Sequence, residues 1–119
     1  MSTKESILQN HIRVALSNYG VVFRTNAGAF WGGKRVWSEE FQQYVLINLK
    51  RVQGLPEGFS DTLFIGKDNL AFIEIKTPTG KVREPQRNFI NVMRNYGHKA
   101  GIARSVEDAI NITKGGILD

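Results

Sequence analysis

The sequence predicts an α/β fold: a mixed central sheet with an antiparallel hairpin, flanked by helices, in the order α-β-β-β-α-β-α, with an extra hairpin at about residues 29–53. Three observations lead there. Two short runs rich in β-branched and aromatic residues, 61–65 and 70–76, flank a Gly-Lys-Asp-Asn turn, the pattern of a β-hairpin. Apolar residues recur at helical spacing ahead of that hairpin, over residues 8–19, and behind it, over residues 89–96. A further short strand pattern, 99–104, runs into a helix start at Ser105. With 119 residues the chain can bury one core, so residues 1–119 are expected to form a single small domain.

The first helix opens on Ser2 and Glu5, the S-x-x-E spacing of a capping box, and carries Leu8, Ile12, Ala15, Leu16 and Tyr19 up to a stop at Gly20. Glu5 has two readings. It shares a face with Leu8, Gln9 and Ile12, from which its carboxylate could reach the sheet and steady a metal-bound water, but capping alone accounts for it and is the preferred local reading. Residues 21–25 form a strand ending in Asn-Ala-Gly, where Asn26 and Gly28 tolerate unusual backbone angles.

Residues 29–53 hold two extended segments joined by Ser-Glu-Glu-Phe-Gln-Gln. Trp31, Lys34, Arg35, Trp37, Lys50 and Arg51 mix bases with aromatics, a composition suited to a phosphate backbone and an unpaired base. An exposed hairpin whose tryptophans pack on the core is the equal alternative.

Residues 54–60, with a proline and two glycines, turn the chain into Asp61. If the hairpin turn is centred between Lys67 and Asp68, Leu63 pairs with Phe72, Ile65 with Leu70 and Asp61 with Glu74. Opposed carboxylates repel unless a cation lies between them. Strand alternation puts Glu74 and Lys76 on the face of Phe72, with Ile73 and Ile75 on the other, so an ammonium stands close to both acids. Two carboxylates on rigid strands, with room for water and a substrate phosphate, suit Mg²⁺ or Mn²⁺ and phosphodiester chemistry. Taken alone, an acid at a strand start and an E-x-K at a strand end are ordinary solvated termini; the combination favours a site.

Behind Lys76 comes a Thr-Pro-Thr-Gly-Lys loop, then Pro85 in the first turn of a helix bearing Phe89, Ile90, Val92, Met93 and Tyr96, closed by Gly97. Gln86 falls in that turn, its amide placed to hold Lys76 or a phosphate. Lys81, Arg83, Arg87 and Arg94 make the region basic. His11 and His98 lack metal-ligand spacing and stay outside the site. The final helix runs from Val106 to about Ile112, and residues 114–119 are expected to form a loose tail.

Composition narrows the classes. There is no cysteine, which excludes a disulfide scaffold or thiolate zinc site, and no apolar run long enough to span a bilayer, so a cytoplasmic protein is expected. Sixteen Lys and Arg against eleven acids give a net charge of +5, compatible with a polyanionic partner.

Gly58-Phe-Ser-Asp61 followed by Glu74-Ile-Lys76, in this order of elements, resembles the PD-(D/E)XK nuclease superfamily with its restriction-endonuclease-like core. The closest resemblance is to the VRR-NUC family in its small stand-alone form, of phage or bacterial type. It covers nearly the whole chain: Glu5 and Gln9, the Arg24–Gly28 segment RTNAG, GFSD, FIEIKTPTG, Gln86 with Phe89, and the IARSVEDA ending. The superfamily's usual proline before the first acid is here Ser60, and residues 29–53 are the least family-like.

The resemblance implies that Asp61, Glu74 and the main-chain carbonyl of Ile75 are metal ligands, Lys76 the catalytic lysine, and Gln86 and Glu5 supporting residues. It implies a Mg²⁺-dependent (or Mn²⁺-dependent) DNA endonuclease leaving a 5′-phosphate and a 3′-hydroxyl. Arg24, Asn26, Lys34, Arg35, Lys50, Arg51, Lys81, Arg83 and Arg87 are the candidate DNA contacts. Branched DNA such as a four-way (Holliday) junction is the expected substrate, cut by a homodimer that would use Trp31, Trp37 or Phe41, in recombination or repair. A restriction-type or flap nuclease, and a non-catalytic DNA-binding module, are the alternatives.

Overall fold

A computed structural model describes residues 3–25 and 27–119. Ser2 of the expected capping box and Asn26 of the expected DNA contacts lie outside the described residues. The elements are α1 (Thr3–Leu16), β1 (Val21–Arg24), β2 (Ala29–Ser38), β3 (Gln43–Gln53), β4 (Thr62–Ile65), β5 (Leu70–Ile75), α2 (Glu84–Asn95), β6 (Lys99–Ala103) and α3 (Val106–Thr113). Helix α1 stops at Leu16, before the expected Gly20, because Ser17 Oγ and Asn18 Nδ2 turn back onto the carbonyls of Val14 and Ala15.

Four strands make one sheet in the order β1-β4-β5-β6, and β2-β3 make a second. The first sheet is mixed: β1, β4 and β5 are antiparallel, while β6 returns parallel to β5 after the α2 crossover. The hairpin register is the expected one, with Leu63 opposite Phe72 and Ile65 opposite Leu70. Alternation along β5 then divides the core. Ile73 and Ile75 bury against Ile12 and Leu16 of α1 and Ala109 and Ile112 of α3. Phe72 faces the other way, toward Ile90, Ala100 and Ile102 under α2. Helices α1 and α2 therefore lie on opposite faces of the sheet, and both reach the end of β5 that carries Glu74.

Two expectations are corrected. Residues 114–119 are docked rather than loose: the Ile102 amide donates to Leu118 O at 2.8 Å, and Arg94 donates to Leu118 O and to Asp119 Oδ1 at 3.1 and 2.8 Å. A parallel edge strand has free backbone groups, and the tail satisfies them at β6. The tryptophans at residues 29–53 do not pack on the core. Trp31 is 60% and Trp37 48% exposed, and β2 and β3 pack on each other, standing out from the body of a molecule 52 Å long and 26 Å thick.

That hairpin bends at a bulge between Gly32 and Lys34, where Asn48 adopts φ 55°. Gly33 is needed there, since a Cβ would come 2.7 Å from Ile47 O. Residues paired across antiparallel strands share a face, so Trp31, Arg35, Leu46, Trp37 and Tyr44 lie on one side. Arg35 Cζ sits 3.8 Å above the Tyr44 ring, and Trp37 meets the same ring edge-on at 5.2 Å.

Candidate active site

The turn before β4 delivers Asp61 to the sheet. Gly58 makes this possible: its φ of +91° is open to glycine, and a Cβ would strike the Pro85 carbonyl at the start of α2. Phe59 anchors the turn, its ring 4.5 Å from Phe89 and 5.8 Å from Phe72. Ser60 is fully buried, and its carbonyl accepts from Thr25 Oγ1, tying the turn to the end of β1.

Asp61 and Glu74 are brought together as the register predicts. The Asp61 amide donates to Glu74 Oε2 at 3.1 Å, and the Ile75 amide donates to Asp61 Oδ1 and Oδ2 at 3.2 and 3.3 Å. Thr62 Oγ1 also donates to Asp61 Oδ1, at 3.1 Å. Lys76 places Nζ 4.0 Å from Glu74 Oε1 with its side chain 14% exposed. The Lys76 amide donates to Ala103 O at 3.0 Å, which holds this end of the chain against β6.

Burial pushes the Asp61 carboxyl up from 3.8 to about 6; its hydrogen bonds with Ile75 and Thr62 oppose the rise, and the Glu5 charge adds to it. Burial also raises Glu74, from 4.5 to about 8, with the Asp61 charge as the next cause. Lys76 pulls both the other way. Glu5 is thus at the site electrically, whereas the local sequence reading favoured capping alone.

Gln86 is buried, but its amide is engaged differently from the expectation. Nε2 donates to Glu74 Oε1 at 2.9 Å and Oε1 accepts from the Arg83 amide at 3.0 Å, so it holds the acid and the start of α2 rather than Lys76.

Two residues have no assigned role in the sequence reading. Gln9, 3% exposed, donates from Nε2 to Asp61 Oδ2 at 3.2 Å. Its place one turn after Glu5, and its presence with Glu5 in the family-like pattern, were the available signals. Arg104 donates from one guanidinium nitrogen to Thr77 O at 2.6 Å and Gly80 O at 2.8 Å, pinning the loop behind Lys76. Nothing local in the sequence links Arg104 to that loop.

In front of the acids lies a cavity of about 390 Å³ bounded by Thr25, Gly28, Glu57, Phe59 and Arg83. Arg83 is therefore placed beside the site. Arg24 is exposed at the end of β1, Lys81 is exposed before α2, and Arg87 pairs with Asp119 at 3.3 Å. Lys34, Arg35, Lys50 and Arg51 all stand on the protruding hairpin, in a different sheet. The four hairpin bases are therefore not on the sheet that carries the acids.

The donor set fits a hard divalent cation. Among the described residues no cluster of three or more His, Asp or Glu is arranged for a metal, and the two carboxylates present match the few protein ligands that Mg²⁺ takes while keeping its waters. Burial raises the proton affinity of both acids, and the Asp61 charge raises that of Glu74 further, so a divalent charge beside them favours their ionised forms.

The mixed sheet, its flanking helices and the order of elements define a PD-(D/E)XK-like core. The family model of the VRR-NUC domain matches residues 4–107, and the chain belongs to the VRR-NUC family, a class of nuclease domains. Searches among curated proteins and among solved structures give no significant match.

Proposed function

We propose that this nuclease is a Mg²⁺-dependent DNA endonuclease, selective for structure rather than sequence, with branched DNA such as a four-way junction as its substrate. The observation that carries the reading is the Asp61–Glu74 pair, with Lys76 Nζ 4.0 Å from Glu74 Oε1, at the mouth of one cavity. Asp61, Glu74 and the Ile75 carbonyl would hold Mg²⁺ or Mn²⁺. A bound ion of that kind supplies Lewis acidity to the phosphate and lowers the pKa of a water.

The chain's own residues do the rest. Lys76 orients the attacking water or offsets the charge that develops on the phosphate oxygens. Gln86 keeps Glu74 turned toward the cavity, and Glu5 accepts a hydrogen bond from water near the pair. Arg83, the cation lining the cavity, receives a substrate phosphate, and Arg24, Lys81 and Arg87 extend that contact. The products are a 5′-phosphate and a 3′-hydroxyl.

Paired cuts across a junction need two sites related by a twofold axis. We assign the hairpin to that homodimer. A two-stranded hairpin is marginal alone in water, and this one exposes Phe30, Trp31, Trp37, Phe41, Tyr44 and Leu49. Its tip carries Glu39 and Glu40, and Lys50 and Arg51 lie toward its base. An antiparallel twofold pairing sets acidic tip against basic base. The second reading, from Arg35 and the aromatic face, makes the hairpin a DNA-contacting arm using Lys34, Arg35, Lys50 and Arg51.

No helix among the described residues is long and apolar enough to cross a membrane. The test is cleavage of labelled linear, flap and four-way DNA with Mg²⁺, Mn²⁺ or EDTA, beside Asp61→Asn and Lys76→Ala. Metal-dependent cutting of the four-way substrate, lost in both variants, supports the proposal. Sequence-specific cutting of linear duplex favours a restriction-type enzyme, and salt-sensitive binding without cutting favours a non-catalytic module.

A further inference from the structure

Each acid is held by one glutamine, and the two glutamines come from helices on opposite faces of the sheet. Their circumstances differ. Gln86 uses both ends of its amide, on Glu74 and on the Arg83 backbone. Gln9 uses one. Its Nε2 donates to Asp61 Oδ2 at 3.2 Å, while Oε1 is buried with no hydrogen-bond partner.

The orientation of the Gln9 amide is dictated by its partner. A carboxylate offers only acceptors, so the amide must present its nitrogen; turning it over would set oxygen against oxygen. Oε1 is therefore left buried with no donor from the protein. Leaving a buried acceptor without a donor is destabilising, and an apolar residue of the same length avoids that penalty. Gln9 stands one turn before Ile12, in the buried face of α1, where such a residue would pack. Folding alone gives this position no reason to be glutamine.

Asp61 gives it one. Its carboxylate already accepts from the Ile75 amide and Thr62 Oγ1, both on the sheet, and Gln9 supplies the contact from the helix side. We infer that Gln9 is a positioning residue, kept at a cost in stability, whose amide N–H fixes the Asp61 carboxylate in the orientation that lets it share a divalent cation with Glu74. The inference rests on the metal-dependent reading of that pair.

Gln9→Met tests it, because methionine matches the length of glutamine and removes both polar groups. Mn²⁺ binding to the metal-free full chain is measured by calorimetry, and melting in EDTA by circular dichroism, with Asp61→Asn as reference. The expected result is a split. Gln9→Met melts in EDTA at or above the parent temperature, yet binds Mn²⁺ about 10- to 100-fold more weakly.

Unchanged Mn²⁺ affinity would overturn the inference, as would a large fall in melting temperature, which would make Gln9 a packing residue. A parent chain that binds Mn²⁺ no better than Asp61→Asn would remove the metal reading itself, and this role with it. The parent and reference curves separate that failure from the first two.

Discussion

Asp61 and Glu74 each bond to the other's strand: the Asp61 amide donates to the Glu74 carboxylate at 3.1 Å, and the Asp61 carboxylate accepts from the amide that follows Glu74, Ile75, at 3.2 Å. The pair closes the hairpin where the ladder ends, and it sets two carboxyl groups beside Lys76. Each carboxylate thus has a structural and a chemical part, and variants separate them.

Lys76→Ala is expected to leave the fold intact, because the side chain's 4.0 Å contact with Glu74 is its only ion pair among the described residues. Cleavage should fall by about 100-fold or more. Single-turnover assays with saturating Mg²⁺, alongside DNA binding in EDTA, check this. Binding that falls in parallel with cleavage would place Lys76 in substrate affinity instead.

Gln86→Ala removes a buried bond to Glu74 and leaves the Arg83 amide without its acceptor. The expected loss is about 1–3 kcal/mol of stability by denaturant titration, with weaker metal binding as well. In Gln9→Met, by contrast, metal binding should fall without a loss of stability.

Both site acids have raised affinity for protons, so the sign of the pH effect follows. A carboxyl whose folded value lies above its unfolded one contributes stability in full below about pH 4, and loses it as pH rises through the folded values of about 6 for Asp61 and about 8 for Glu74. Metal-free protein should melt several degrees lower at high pH than at low pH across that window. Mg²⁺ should restore more at the alkaline end, since it binds the ionised pair. Scanning calorimetry over this range, repeated with Glu74→Gln, should show the slope reduced in the variant.

Leu46→Asp and Trp37→Asp place charge on the aromatic face of the hairpin. Light scattering should show a dimer become a monomer, with the four-stranded body still folded, because neither buried cluster includes a β2 or β3 residue. A parent chain that is already monomeric, with four-way DNA binding lost in the variants, would favour the DNA-contacting arm.

Arg104→Ala frees the loop over Thr77–Gly80, which loses two short bonds to the guanidinium. Turnover should fall several-fold while Mn²⁺ affinity stays near that of the parent, since neither acid touches Arg104. Stopped assays and calorimetry on the same preparation would separate the two effects.

The order of elements, the register of β4 on β5, and the approach of Asp61, Glu74 and Lys76 were legible from residues close together in the chain. Hairpin geometry is local, and the turn at Lys67 and Asp68 determines which side chains meet. The period of α1 left Glu5 to capping, and only the family resemblance placed it at the site. Contacts between distant segments were not legible: Gln9 on Asp61 spans 52 positions, and Arg104 on Thr77 spans 27. The docked tail and the detached hairpin belong with these, because whether an apolar strand finds the core depends on which surfaces the sheet has already covered. Periodicity and turn chemistry determined the elements and the acids; packing of helices on both faces of the sheet decided which amide holds which carboxylate.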